Sequence, residues 1–511
     1  LFIYFVRFIG EVSNKEFIHK TYEWIPSLGV NLSFTLDGLS LLFSLLITGI
    51  GTLVFAYTSG YLKGHEYLDR FYGYLSIFMG AMLGLVLSDN LISLFVFWEL
   101  TSISSFFLIG FNNTSEASRK SALTALGITG IGGLLLLGGG LVIGNISGTY
   151  SITEMLAQKE LIQGHEHYIL AACLIFGAAF TKSAQFPFHF WLPGAMKAPT
   201  PVSTYLHSAT MVKAGVYLLF RMSPLMGSTS FWNNTLLIVG LITMIYSAFH
   251  SIFRTDMKGI LAYTTISALG ILVFLIGLGT HESYLAAAVF IIVHALYKAT
   301  FFMMTGVVDH QAKTRNVTEL SGLRKVMLPV AIAGLLAAIS NAGIPPSVGF
   351  IGKDLIYEGT FHFEHSAILL TVLAILTNVF ISYAGYVAGI KPFIGKLPEK
   401  FEKVKFPSFF LWFPPVLLGA LGFVFGLFPV LIEKSLVKPI LWSIGEDAAE
   451  VHLKLWHGIT PILGLSLLTM VSGIILYFVL KPSAKKETFI TKFEALSPKS
   501  ILENFNRGFN K

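Results

Sequence analysis

Tyr168-Ile-Leu-Ala-Ala-Cys-Leu-Ile-Phe-Gly-Ala-Ala-Phe-Thr-Lys182-Ser-Ala-Gln-Phe-Pro187-Phe-His-Phe-Trp-Leu-Pro193 is the stretch on which the fold turns. Fourteen residues pass without a charge before Lys182, and a proline follows within about one turn. The apolar run continues to residue 197, longer than the ~20 residues that cross a bilayer. It breaks at Gln185-Phe186-Pro187. Proline removes a backbone donor and clashes with the preceding turn. In lipid such a break is tolerated where the backbone is buried in protein or lines a cavity. A charge at that depth costs at least about 2.5 kcal/mol, so the lysine needs a reason to be there. A broken apolar helix beside a buried lysine predicts a path for a transported ion.

The rest of the chain agrees with a lipid environment. Of its 511 residues, 54% are hydrophobic and 12% charged, and the mean hydropathy is +0.72. Soluble domains carry about 25% charged residues. Apolar runs recur at 36–58, 71–88, 90–111, 121–144, 168–197, 201–222, 232–253, 258–279, 283–308, 326–358, 366–389, 408–432 and 456–480. They are continuous and long, unlike the alternating strands of a barrel, so they predict helices. Residues 1–9 read as the tail of a span already under way. They carry no signal-peptide pattern, and the chain reads as truncated at its start and at its end. The lone Cys173 lies inside an apolar run and reads as a core thiol without a disulfide.

Loop charge alternates. Loops 112–120, 254–258, 309–325 and 390–407 and the tail after 480 are basic. Loops 145–167, 223–231, 280–282 and 433–455 are acidic or nearly uncharged. That pattern predicts a multi-pass protein of the bacterial inner (cell) membrane with the basic loops and the tail in the cytoplasm. It also accounts for the formal charge of +7 without nucleic acid.

A second long run, 326–358, breaks at Asn341-Ala-Gly-Ile-Pro345-Pro346. Two broken helices in corresponding halves point to a transport site and to an inverted repeat. The reading is therefore an all-α polytopic fold of about 13–14 transmembrane helices with two inverted repeats. Its parts are N-terminal helices (1–70), a first half (71–222), a second half (223–389), C-terminal helices (390–480) and a cytoplasmic tail (481–511).

Among the ionisable groups within the apolar runs, seven stand out: Glu99, Lys182, His207, Lys213, His294, Lys298 and Lys353. His294 and Lys298 are four apart and share a helix face. Buried lysine and histidine change protonation with their neighbours, whereas arginine stays charged. A carboxylate such as Glu99 moving toward or away from Lys182 would decide whether the lysine keeps its proton. Repeated along a line of lysines, that switch moves protons with no cofactor. The bland alternatives are a Glu99 bonded to Thr101 or Ser102, satisfied core histidines, and a local Lys353–Asp354 charge pair. Asp37 reads equally as a helix cap or a path residue. Asp256 and Lys258 read as loop anchors, Asp309–His310 as a solvated loop, and Arg221 as lying at a span end. No nucleotide loop, CxxC, HExxH or flavin fingerprint occurs, and no metal site is assigned.

These residues carry a resemblance. Phe97-Trp98-Glu99-Leu100, Thr181-Lys182-Ser-Ala-Gln-Phe-Pro-Phe-His-Phe-Trp-Leu-Pro193 and Ala198-Pro-Thr-Pro-Val-Ser-Thr-Tyr-Leu-His207-Ser-Ala-Thr-Met-Val-Lys213-Ala-Gly215 resemble the antiporter-like subunits of respiratory complex I. Within that family, residues 79–90, 24–31 and 1–5 look most similar to the A-type subunits of Mrp sodium/proton antiporters. The resemblance implies a core of about fourteen helices in which the two broken helices are the seventh and twelfth. It implies that Glu99, Lys182, Lys298 and Lys353 form a proton path with His207, Lys213 and His294 between them. It further implies a hetero-oligomer with other Mrp subunits, protons and monovalent cations as cargo, and family segments before residue 1 and after residue 511. The sequence departs from the family in having Gly194 and Lys197 where acidic residues often stand, which alters the charge at one channel mouth.

Three functions fit. The first is a proton-translocating subunit of a sodium/proton antiporter, a transporter and not an enzyme. The second is a proton-pumping membrane subunit of an NADH dehydrogenase-like or hydrogenase complex. The third is the membrane subunit of an inorganic-carbon uptake complex.

Overall fold

The computed structural model describes residues 1–363, 366–456, 458–483 and 487–488. The helices that build the bundle run, in chain order, α1 (Gly38–Tyr61), α2 (Leu68–Leu87), α3 (Leu91–Ile109), α4 (Glu116–Ser147), α5 (Tyr168–Lys182), α6 (Trp191–Ala195), α7 (Thr200–Ser208) and α8 (Met211–Met226). They continue with α9 (Ser230–Ser251), α10 (Met257–Leu278), α11 (His281–Ala312), α12 (Leu328–Ala342), α13 (Val348–Phe361), α14 (Ala367–Gly389), α15 (Phe409–Leu427) and α16 (Pro461–Val479). Among the described residues, ten of these are long and apolar enough to cross a membrane. The remaining three apolar runs of the sequence are each split into two helices. The molecule is an all-α polytopic membrane protein with one small addition.

That addition is a hairpin in the segment 1–70, where the sequence reading has only helices. Strand β1 (Ile18–Ile25) pairs antiparallel with β2 (Val30–Leu36), in a register that sets Ile18 opposite Leu36 and Tyr22 opposite Leu32. Thr21, Tyr22, Trp24, Val30 and Phe34 are β-branched or aromatic residues that favour strands, although the middle of β1 is exposed. Gly29, at φ +65°, closes the turn.

Both expected breaks are present. Helix α5 ends at Lys182, and the chain passes through a cis Phe186–Pro187 bond before α6. Helix α12 ends in a left-handed Gly343, and α13 begins at Val348. A third break falls inside the run read as one span at 201–222. It lies at Ala209–Thr210, between α7 and α8, where the Thr210 hydroxyl donates to the Tyr205 carbonyl at 2.7 Å.

Helices α10 and α11 form the centre. Over their most apolar windows 94% of residues are buried, against 22% for α16 at the periphery. A helix apolar on every face belongs in such a position. Helix α9 reaches α10 backbone to backbone: a Cβ on Gly240 would stand 2.3 Å from the Phe274 nitrogen, and one on Gly270 2.5 Å from the Met244 nitrogen. Small residues permit this approach, which in lipid supplies packing where the hydrophobic effect between helices is weak.

Three expectations need correcting. Cys173 is exposed on the outer face of α5, because the apolar run also faces lipid. Arg221 lies within α8, not at its end, and its Nη1 and Nη2 bond both Asp37 carboxylate oxygens at 2.5 and 2.9 Å. Asp37 is the N-cap of α1, in a capping box with Ser40, so it is a structural ion-pair partner. The expected tail 481–511 lies almost wholly outside the described residues.

Candidate functional site

Glu99 sits half-buried on α3, facing α4. A Cβ on Gly133 would stand 1.6 Å from Glu99 Oε1, so the glycine makes the room the carboxylate occupies. Gly132 does the same for Thr181, the neighbour of Lys182, at 1.9 Å. Two adjacent glycines thus let α3 and α5 approach α4 where Glu99 and Lys182 lie. Glu99 Oε1 is buried without a hydrogen-bond partner. The hydroxyls of Thr101 and Ser102 donate to the Trp98 carbonyl, not to Glu99. Neither of the two hydroxyls expected to bond this carboxylate does so.

Lys182 is fully buried at the C-terminus of α5. Its Nζ donates to Ser102 Oγ at 2.8 Å and to the Trp98 carbonyl at 3.2 Å, and lies 5.1 Å from the Trp98 ring centre. It acts electrostatically on Glu99, but no ion pair within 4.0 Å joins them among the described residues. Trp191, in α6 beyond the break, donates from Nε1 to the Thr181 carbonyl at 2.9 Å, and its ring centre lies 6.5 Å from that of His207. The broken helix so places an indole against the Thr181 carbonyl and near the His207 ring.

Four groups converge on one face of α11. Lys213, from α8, donates to the Ile291 carbonyl at 2.9 Å. His294 follows within one turn and lies within electrostatic reach of Lys213 and Lys298. Lys298 donates to Thr264 Oγ1 of α10 at 2.7 Å. The His207 ring from α7 lies 6.0 Å from that of Phe302, one turn beyond Lys298. Residues 291, 294, 298 and 302 are spaced by three or four, the interval that stacks side chains along a helix. Both ring nitrogens of His207 and of His294 are buried without a hydrogen-bond partner. Buried polar atoms are normally bonded, so these four nitrogens are exceptions that require an explanation. They do not fit satisfied core histidines.

Lys353 lies on α13, beyond the second break, and donates to the Ala342 carbonyl at 3.0 Å and to Ser382 Oγ of α14 at 2.9 Å. Asp354 turns elsewhere: it accepts from Ser466 at 3.0 Å and lines a cavity of about 550 Å³ with Glu282, Glu358, Asp447 and Glu450. Lys298 and Lys353 bond different helices and share no hydrogen-bond partner. Lys182, Lys213, Lys298 and Lys353 are each at most 5% exposed and bond only neutral oxygens. A permanent charge so placed would demand an ionic partner. Residues that can shed a proton fit better.

Lys258 belongs with this set, although the sequence alone reads it as a loop anchor. It is 2% exposed, donates to the Ala198 carbonyl at 2.8 Å and lies within electrostatic reach of His207. It lines a cavity of about 460 Å³ at the basic-loop end with Lys197, Asp309 and Arg315. Its place two residues into α10 hides it, because a lysine at a helix start looks solvated. Asp256 does anchor the loop: it caps α10 and accepts from Arg315 at 2.8 Å. Asp309 lies 3.6 Å from Arg315. Among the described residues no group of three or more His, Cys, Asp or Glu could hold a metal ion.

Known proteins provide an independent comparison. A family model described as "NADH:quinone oxidoreductase/Mrp antiporter, TM" matches residues 88–380, and one described as "NADH-Ubiquinone oxidoreductase (complex I), chain 5 N-terminus" matches 24–72. The chain is 39% identical to the A-type subunit of a Na(+)/H(+) antiporter from Alkalihalophilus pseudofirmus, over 97% of its own length and 66% of the relative's. It is 43% identical to the A1-type subunit of a Na(+)/H(+) antiporter from Staphylococcus haemolyticus, over 93% of its length and 62% of the relative's. It therefore spans about two thirds or less of the curated relatives it matches. A chain of an Mrp complex from Dietzia sp. superposes with a TM-score of 0.86 at 35% identity, covering 99% of this chain and 56% of that one.

Proposed function

Given that the chain belongs to the NADH:quinone oxidoreductase/Mrp antiporter membrane family, we propose that it is a proton-translocating subunit of a multisubunit sodium/proton antiporter of the bacterial cell membrane. Protons move between Glu99 and Lys182, past Trp191 to His207, along the α11 face through Lys213, His294 and Lys298, and on to Lys353. Lys258 connects His207 to the cavity at the basic-loop end. The cavity lined by Asp354 opens at the acidic-loop end. The partners are other subunits of an Mrp assembly, the cargo is protons and monovalent cations, and the protein is a transporter component and not an enzyme.

One observation carries this reading. Buried lysines bonded only to neutral oxygens stand beside two histidines whose ring nitrogens have no partner. Such groups exchange protons at low cost, because none is locked into an ion pair. The names of the curated relatives support the antiporter over the redox-driven reading. The family description includes NADH:quinone oxidoreductase, so that reading is kept as the alternative.

The test is sodium-dependent proton exchange in everted vesicles of a host without its own antiporters, carrying the full operon. Lys182→Ala and Lys182→Arg should both abolish exchange while the complex still assembles. Lys182→Arg is the sharper variant, because it keeps the charge and removes the ability to deprotonate. Wild-type exchange in Lys182→Arg would exclude Lys182 as a proton carrier. A complete complex that pumps only with a redox donor would move the assignment to the dehydrogenase-type reading.

A further inference from the structure

Two arginines at the basic-loop end of the bundle have no part in the proton path. Arg70 stands in the first turn of α2, and Arg119 near the start of α4. With Tyr74, Phe106, Phe107 and Leu123 they line a cavity of about 320 Å³. That size is within the range of small-molecule sites.

Arg221, Arg254 and Arg315 each have a carboxylate within 4.0 Å. Arg70 and Arg119 have none among the described residues, although Asp69 and Glu116 are near in sequence. Arg70 lies over the rings of Tyr67 and Phe111, at 4.4 and 5.4 Å, and its Nε is buried without an acceptor. Arg119 spends one of its five donors on the Asn113 carbonyl, at 2.6 Å. The outer wall is apolar and open: Phe107 is 42% and Leu123 60% exposed, on helices that cross the membrane.

We propose that this cavity binds the phosphate of an anionic phospholipid headgroup, with the acyl chains lying along Phe107 and Leu123. The planar guanidinium matches phosphate oxygens bidentately, and an orphaned donor beside a second unpaired arginine calls for such an acceptor. Basic pockets between transmembrane helices on the cytoplasmic side take phospholipid headgroups for the same reason. The apolar wall selects a lipid over a free anion. Arg70, Phe111 and Asn113 also line the cavity that reaches Lys258, so the headgroup sits at the rim of that mouth.

The test uses the full chain within its purified complex, delipidated and titrated with phosphatidylglycerol or phosphatidylcholine, with occupancy read by native mass spectrometry. The wild type should prefer phosphatidylglycerol. Arg70→Gln/Arg119→Gln should bind it more weakly by about fivefold per arginine, roughly twenty-five-fold for both. Arg324→Gln, in a different basic loop, should leave binding unchanged. A wild type that does not distinguish the two lipids overturns the proposal without any variant being needed. Retention of phosphatidylglycerol by an assembled double variant overturns it as well. Complete displacement of the lipid by millimolar inorganic phosphate would make this a free-anion site and refute the lipid assignment.

Discussion

Gly133→Ala would test whether the position of Glu99 matters, separately from its charge. A Cβ at Gly133 would stand 1.6 Å from Glu99 Oε1, and ordinary contact begins at 3.4 Å, so the carboxylate must retreat by about 1.8 Å (3.4 − 1.6). The added carbon also lies 2.6 Å from Glu99 Cδ and 3.3 Å from Trp98 Cδ1, so the flexible carboxylate yields most and the Trp98 ring slightly, without a shift of α4. Replacing glycine by alanine inside a helix favours the helix by about 1 kcal/mol, so the fold should not suffer. For two unit charges just beyond ion-pair contact, at about 5 Å and an effective dielectric of about 20, a change of about 2 Å alters the Coulomb attraction by about 1 kcal/mol. The balance between protonation states of the Glu99–Lys182 pair therefore shifts about fivefold from this change alone. Gly130→Ala is the matched control: it lies on the same helix, with nothing within 4 Å of the added carbon. The assay is sodium-dependent exchange in everted vesicles at equal complex abundance. Gly133→Ala should slow exchange about fivefold, and Gly130→Ala should match the wild type. Equal rates for all three proteins would show that the place of Glu99 against α4 is not part of the mechanism.

Two further outcomes concern stability. Breaking the buried Asp37–Arg221 pair with Asp37→Asn leaves an uncompensated guanidinium and should cost about 3–5 kcal/mol. Burial alone would raise the Asp37 carboxyl, but the Arg221 charge and the Ser40 amide hold it below the ordinary carboxylate range. The pair is therefore fully stabilising above about pH 4 and is lost as pH falls through the lower folded value. Thermal unfolding against pH should show this acid-side decline in the wild type and a flatter profile in Asp37→Asn; identical profiles would remove Asp37 from the account. Gly270→Val would drive a side chain against the α9 backbone, where the Met244 nitrogen lies 2.5 Å from the added Cβ and cannot yield alone. Overpacking of this kind costs about 1–3 kcal/mol, and an unchanged melting temperature would argue against tight α9–α10 contact.

Much of the fold is legible because lipid enforces a simple rule. The breaks at Pro187 and at Gly343–Pro346 announce themselves through residues that cannot continue a helix. The third break at Ala209–Thr210 has no proline or glycine to mark it; Pro224, by contrast, lies within α8 without ending it. The hairpin at 18–36 escapes a hydropathy reading because its strands are short, polar and outside the membrane pattern. Lys258 is missed for a related reason: position in the sequence marks a helix start, but not whether that start is buried under another segment. Cys173 fails in the opposite direction, since an apolar residue in a span has two apolar environments to choose from.

Length and hydropathy already imply that the chain crosses a membrane many times, that two helices break, and that Lys182, His207, Lys213, His294, Lys298 and Lys353 lie at membrane depth; they do not imply the burial of Lys258. Those conclusions follow from length, hydropathy and backbone chemistry, which are local. Which groups face one another follows from the packing of the helices. That packing gathers Lys213, His294, Lys298 and His207 on one face of α11, sets Trp191 against the Thr181 carbonyl and near His207, and turns Asp354 away from Lys353. Contacts between helices depend on rotation about each helix axis, on glycines such as Gly132 and Gly133 that admit close approach, and on breaks that re-aim a chain. A hydropathy pattern fixes none of these, because all sides of a buried helix are equally apolar.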